Sequence, residues 1–224
     1  MAGVFINSGC LFGIAKQSYE RARTVVKGDR ATGSNEPLIS IVFAAATAEA
    51  FINEIGELAA QPRSQYPEVG PESEQVVNLA RLLSEVEDAH GTTNMKYLLG
   101  KLALTGKTFN KGQNPYQDFA LLMDLRNSLM HLKFDRIESI KLGEVKVHHP
   151  SVVAKLQSRN VLAEFENEVT MASWVLRVST PATARWACNA TARIIKDIVE
   201  SILDSEMRST ADLFYNEDTF APLN

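Results

Sequence analysis

Residues 114–132 read NPYQDFALLMDLRNSLMHL, and this stretch sets the class of the fold. Asn114 followed by Pro115 is a cap-plus-first-turn signal, because an asparagine side chain can accept an orphan backbone N–H and proline suits the first helical turn. At about 100° per residue, Phe119, Leu122, Met123, Leu129 and Met130 fall on one broad face. The spacing predicts a helix over Pro115–Leu132 with that face in the core. Arg126 lies near the middle of the same stripe, where an unpaired charge would be very costly. Either it is paired, or that face is not fully buried in the protomer. Asp124, Asn127, Ser128 and His131 lie on a different, polar face, with Asn127 and His131 one turn apart and therefore neighbours. Arg126 and His131 start well apart around the axis. They reach one cleft only if the side chains bend toward it or a second subunit completes it.

Working outward, the same periodicity predicts further helices over Leu11–Lys27, Pro37–Ala60, Ser73–His90, Asn94–Leu104 and Pro181–Asp204. Asn35 before Pro37 and Thr180 before Pro181 read as caps. The last helix carries a seam of Ala184, Ala187, Ala190, Ile194, Ile198 and Ile202. The second helix has its own anomaly. Leu38, Val42, Ala45, Ile52 and Gly56 share a face, and Glu49 falls within it, with Asn53 one turn on. A carboxylate on one stripe and a guanidinium on another suggest a Glu49–Arg126 pair.

Between the fifth and last long helices the pattern changes. Ile137–His149 alternates loosely around Gly143, which reads as a small hairpin. Ser151 reads as the cap of a short helix to Arg159, and Val169–Val178 fits helix or strand equally. The expected fold class is all-α: a helical bundle with a small β-hairpin insertion before the last helices. Its expected division is one helical domain over residues 1–208, with an insertion at about 134–168, and a loose polar tail over 209–224.

The formal net charge of -4 argues against a protein that coats nucleic acid by neutralising phosphates. It leaves room for an enzyme that engages a few phosphates locally. No basic n-region followed by an apolar run opens the sequence, and no window of about 18 uninterrupted apolar residues occurs. Together with only two distant cysteines, Cys10 and Cys188, this leads to the expectation of a reduced, cytoplasmic protein without a membrane span. Both cysteines lack the basic, helix-start context that activates a thiolate, so packing is their expected role. Trp174 and Trp186 read as core or interface aromatics. His90 reads as a helix-end histidine favoured by the dipole. His148 and His149 are adjacent, but no ligand cluster stands beside them, so no metal and no other cofactor is expected.

Arg126-Asn127-Ser128-Leu129-Met130-His131 is an arginine, four residues, then a histidine, at the end of an amphipathic helix in an all-helical chain. This resembles the HEPN superfamily of small helical domains found in prokaryotic toxins, phage-defence proteins and RNA-processing factors. The resemblance implies a metal-independent endoribonuclease acting as a homodimer, with two motif helices meeting at a composite cleft. Histidine as a residue type titrates near neutral pH and can give or take a proton. A planar guanidinium suits the charge that builds on phosphoryl oxygens. On this resemblance Arg126 and His131 are the candidate catalytic residues, and Asn127 orients either His131 or the phosphate. Glu49, Asp124 and Ser128 are candidate supporting residues. Lys107 and Lys111, on the loop before the motif helix, are candidate RNA contacts. An antitoxin or other regulatory protein is an expected partner. The alternative is a non-catalytic binding module of the same fold.

Overall fold

The computed structural model describes residues 6–24, 35–61, 71–132, 136–141, 144–162 and 174–224. The chain builds an all-α bundle around helix α2. In order it forms α1 (Ser8–Thr24), α2 (Glu36–Ala60), α3 (Pro71–Asp88), α4 (Thr93–Thr105), α5 (Tyr116–Met130), the strands β1 (Arg136–Lys141) and β2 (Glu144–His148), α6 (Ser151–Gln157), α7 (Trp174–Val178), α8 (Pro181–Glu200), α9 (Glu206–Phe214) and α10 (Glu217–Phe220). The two strands pair antiparallel, Ile137 opposite Val147 and Ser139 opposite Val145, as the alternation predicts. Trp174–Val178 resolves as helix rather than strand. Val26, Gly143 and the first residues of the 169–178 segment lie outside the described residues.

Helix α2 packs against α1, α3, α4, α5, α8 and α9. Its alanines Ala44, Ala45 and Ala48 are fully buried, and these small side chains let neighbouring backbones approach. Thr191 on α8 donates its hydroxyl to the Ala44 carbonyl at 2.9 Å, and the Tyr97 hydroxyl on α4 donates to the Ala48 carbonyl at 2.9 Å. By length and composition α2 could cross a membrane. In the fold, it is the central helix of the bundle, with Ile41, Phe51, Ile52 and Ile55 fully buried among its neighbours.

The helix ends follow the residues that cap them. Thr180 accepts from the Thr183 amide at 3.0 Å, and the Asn114 side chain accepts from the Asp118 amide at 3.2 Å. Asn35 departs from expectation: its backbone is already helical and its side chain makes no cap bond. Ser151 begins α6 instead of capping it. Gln75 on α3 ties the ends of α4 and α8 together, donating to the Leu104 and Ser201 carbonyls and accepting from the Leu203 amide. Gly106 ends α4 with φ at 70°, and its amide donates to the Leu102 carbonyl. Glycine adopts this left-handed conformation without the strain a Cβ brings. Gly106→Ala should therefore cost about 1 kcal/mol, read as a lowered denaturant midpoint with an unchanged slope.

The expected boundary at residue 208 and the loose tail are both corrected by the structure. Residue 208 lies inside α9, whose Met207 and Ala211 are buried. Tyr215 and Phe220 enter the core, where Phe220 stacks on Phe12 at 5.2 Å between ring centroids and Tyr215 meets Phe51 edge-on at 4.8 Å. Asn189 on α8 donates to the Leu223 carbonyl and accepts from the Leu223 amide. The aromatics of the tail are the reason: their burial against α1 and α2 outweighs the polar residues between them.

The insertion also does more than expected. Val152, Val153 and Leu156 of α6 are buried, and α6 packs directly on α5.

Candidate active site on helix α5

Helix α5 buries Phe119, Leu121, Leu122, Met123 and Leu125. The core stripe predicted from spacing holds for its first three turns and then emerges. Leu129 is half-buried, and Met130, expected in the core, is 58% exposed, with Leu132 at 59%. The arginine puzzle resolves because the charged pair sits at the edge of the packed face. Arg126 Nη2 lies 3.5 Å from Glu49 Oε2, with the two side chains 31% and 42% exposed. The Glu49–Arg126 partnership read from the two stripes is therefore present as a long, partly solvated ion pair. The face of α2 that carries Glu49 is mixed: Ala45 and Ile52 are fully buried, while Leu38, Val42 and Gly56 are only half-buried.

Arg126 makes a second contact, and it bears on the cleft. Its Nη1 donates to Asn127 Oδ1 at 3.0 Å. Asn127 belongs to the polar stripe that also carries His131, one turn on. The guanidinium thus bends from the apolar stripe toward the polar one, as required if it is to work beside the histidine. The His131 amide donates to the Asn127 carbonyl at 3.0 Å, closing the helix, and the His131 backbone then leaves helical geometry. Its side chain is exposed and has no hydrogen-bond or ionic partner among the described residues.

The supporting residues are engaged locally. Ser128 donates its hydroxyl to the Asp124 carbonyl at 2.8 Å, and the Asp124 carboxylate sits 3.3 Å from Lys155 Nζ of α6. Lys107 and Lys111 are both exposed. Lys107 is held in the turn after α4, where its amide and carbonyl both bond the Thr105 hydroxyl. Lys111 opens onto a cavity of about 570 Å³ beside α5, with Gln117, Asp124, Lys155 and Arg159 also on its walls.

Two buried carboxylates escaped sequence reasoning. Asp118, in the first turn of α5, is 4% exposed; it accepts a hydrogen bond from Arg193 of α8 at 3.2 Å and forms an ion pair with Arg159 at 3.1 Å, whose Nη2 donates to Gln117 Oε1. Glu54 on α2 caps α1 from outside, accepting the Asn7 amide at 2.6 Å, the Ser8 amide at 3.0 Å, the Ser8 hydroxyl at 2.5 Å and the Tyr215 hydroxyl at 3.1 Å. Burial, and then the nearby Glu54 charge, hold the Tyr215 hydroxyl well above its ordinary pKa, so it stays a donor. In sequence, Glu54 only interrupts an apolar run, and no local spacing rule points to partners so far along the chain.

The remaining candidates are structural. Trp174 and Trp186 are buried as expected. Cys188 is buried against the Ser40 hydroxyl at 3.4 Å, and desolvation pushes its thiol up to about 11. Cys10 does not pack as expected; it is exposed on α1. His90 stands just beyond the end of α3, in the left-handed region at φ 52°. Among the described residues, no group of three or more His, Cys, Asp or Glu side chains is arranged to hold a metal ion. Comparison with known proteins gave no match: no family model, curated protein or solved structure is significantly similar to the chain.

Proposed function

We propose that the chain is a metal-independent endoribonuclease of the HEPN type. The observation that carries this is the end of α5, where the Arg126 guanidinium is drawn to Asn127 on the stripe that also bears the exposed His131 imidazole. Met130 and Leu132 flank the histidine with exposed apolar surface, which suits burial against a second copy of the same helix end.

In the composite cleft, one neutral imidazole takes the proton from the ribose 2′-OH as the 2′ oxygen attacks phosphorus. The new P–O2′ bond forms as the P–O5′ bond breaks. The protonated imidazole of the other copy gives its proton to the departing 5′ oxygen. The guanidinium stabilises charge on the non-bridging oxygens, and Asn127 fixes where it points. The products are a 2′,3′-cyclic phosphate and a 5′-hydroxyl. Such an enzyme fits a toxin or phage-defence effector working in the cytoplasm under an antitoxin or regulatory partner.

The test is incubation of purified protein with RNA in the presence of a chelator, with analysis of the product ends. Cyclic phosphate ends that persist under chelation and vanish in Arg126→Ala and His131→Ala support the enzyme. RNA left intact under all conditions points instead to a binding module.

Glu49 has a separable role. A long, partly exposed ion pair contributes no more than about 0.5 kcal/mol. Glu49→Gln should therefore leave thermal stability almost unchanged, yet lower cleavage severalfold by freeing the guanidinium to wander. Equal activity in the variant would remove Glu49 from the site.

A further inference from the structure

On one side of α5, Gln117, Ala120, Leu121 and Asp124 line the cavity of about 570 Å³ that Lys155 of α6 and Ser158 and Arg159 of the turn after it close, with Lys111 also on its lining. These four α5 residues follow i, i+3, i+4, i+7 spacing, and the next members of the series are Asn127, Ser128 and His131. Asp124 and His131 are seven residues apart, so they share a face and are separated by about 10 Å of helix rise. The cavity and the candidate catalytic histidine thus lie along one stripe of one helix.

The charge of the cavity is unbalanced. Asp118 is shared between Arg159 and Arg193, so one of the two guanidinium charges is left uncompensated. Lys155 is matched only by an exposed Asp124 at 3.3 Å, a contact that water screens and an arriving anion can replace. Lys111 is exposed and has no ionic partner among the described residues. Three cations, Lys111, Lys155 and Arg159, therefore line the cavity with one carboxylate, Asp124, in a chain whose formal net charge is -4. The helix α6 that supplies Lys155 is held on α5 by buried Val152, Val153 and Leu156, so the backbone that carries Lys155 is fixed beside α5 while its side chain is 58% exposed.

We propose that this groove is a binding subsite for the phosphodiester backbone of single-stranded RNA, with Lys111, Lys155 and Arg159 meeting phosphates that flank the one placed at His131. The inference rests on the ribonuclease assignment for the direction of the strand, but the groove can be tested without cleavage. The half-apolar floor of Ala120 and Leu121 accommodates ribose, while the cations along the wall read charge and not base identity. The subsite therefore adds affinity and positioning without sequence preference.

The experiment uses a short fluorescent oligoribonucleotide carrying 2′-O-methyl groups, which cannot undergo 2′-OH attack, titrated with the whole protein at several salt concentrations. Lys111→Ala combined with Lys155→Ala should bind it roughly tenfold more weakly, and the slope of log affinity against log salt should fall by about 0.7 for each lysine that meets a phosphate. Lys196→Ala, outside the groove and paired with Glu217, should change neither. Arg159 is left in place because it also holds Asp118. Unchanged melting of the double variant verifies that the fold is retained. If the double variant binds with undiminished affinity and slope while wild-type protein cleaves RNA through His131, the subsite is wrong and the nuclease assignment survives. If binding falls as stated but wild-type protein cleaves no RNA, the groove stands as an RNA site and the nuclease assignment fails. If wild-type protein does not bind the oligonucleotide, the subsite is overturned outright.

Discussion

His131→Ala should abolish RNA cleavage, by at least about a hundredfold, and leave the protein as stable as before. Both halves of that expectation come from the same geometry. The imidazole is exposed and has no partner among the described residues, so its removal should change stability by less than about 0.5 kcal/mol. The helix closes through the His131 backbone amide on the Asn127 carbonyl, which alanine retains. A group that has no hydrogen-bond or ionic partner among the described residues and stands one turn from the asparagine that tethers a guanidinium matters through chemistry. The measurement is the initial rate of cleavage under chelation, with melting recorded on the same preparation. Slow growth on expression of wild-type protein, relieved by the alanine variant, gives an independent readout. Retained cleavage with an intact fold would move the catalytic acid or base elsewhere.

Glu54→Ala should produce the opposite pattern: a stability loss of about 3 kcal/mol or more, with activity lost only as the fold is lost. The Glu54 side chain is buried and accepts four donors. Two of these are backbone amides at the start of α1, where orphan N–H groups and the helix dipole favour a negative charge. Removing the carboxylate strands the donors and opens a void between α1, α2 and the Tyr215 ring. Glu54→Gln keeps the volume but turns one acceptor into a donor facing donors, so an intermediate loss is expected. Chemical denaturation measures both. A midpoint within experimental error of wild type for Glu54→Ala would show that water replaces the carboxylate without cost. The two experiments together separate the residue that serves the reaction from the residue that joins the tail to the bundle.

Much of the helix layout was legible because hydrophobic periodicity survives without tertiary information. Phe12, Ala15, Tyr19 and Ala22 on α1, Val76, Leu79, Leu83 and Val86 on α3, and the alanine-isoleucine seam of α8 are all buried as their spacing predicts. Capping was legible at Thr180, which accepts from the Thr183 amide; Asn114 accepts from the Asp118 amide but stands one residue before the cap position, which Pro115 holds. Capping was misread at Asn35, where the helix begins one residue early and proline needs no cap. The Glu49–Arg126 pair was legible for a different reason. Two charges on apolar stripes are anomalous individually, and the anomaly is relieved by pairing. The depth of the pair was not legible, because spacing gives the direction of a side chain but not which stretch of a face a neighbour covers. Met130 shows this most plainly: it repeats with the core residues and yet is exposed, because no described element packs over that end of α5.

The amino-acid order alone therefore determined most of the long helices, the general direction of their buried faces, and the arginine-to-histidine spacing that draws attention to α5. Tertiary structure alone decided the rest. It brought α6 and its Lys155 and Arg159 onto α5 beside Lys111, folded the tail aromatics under α1 and α2, and set Asp118 and Glu54 among their donors. The physical reason is that periodicity is a local property, carried by a few turns of one helix. Charge compensation, groove shape and burial depend on partners dozens of residues away, and only the packing of the whole bundle selects among them.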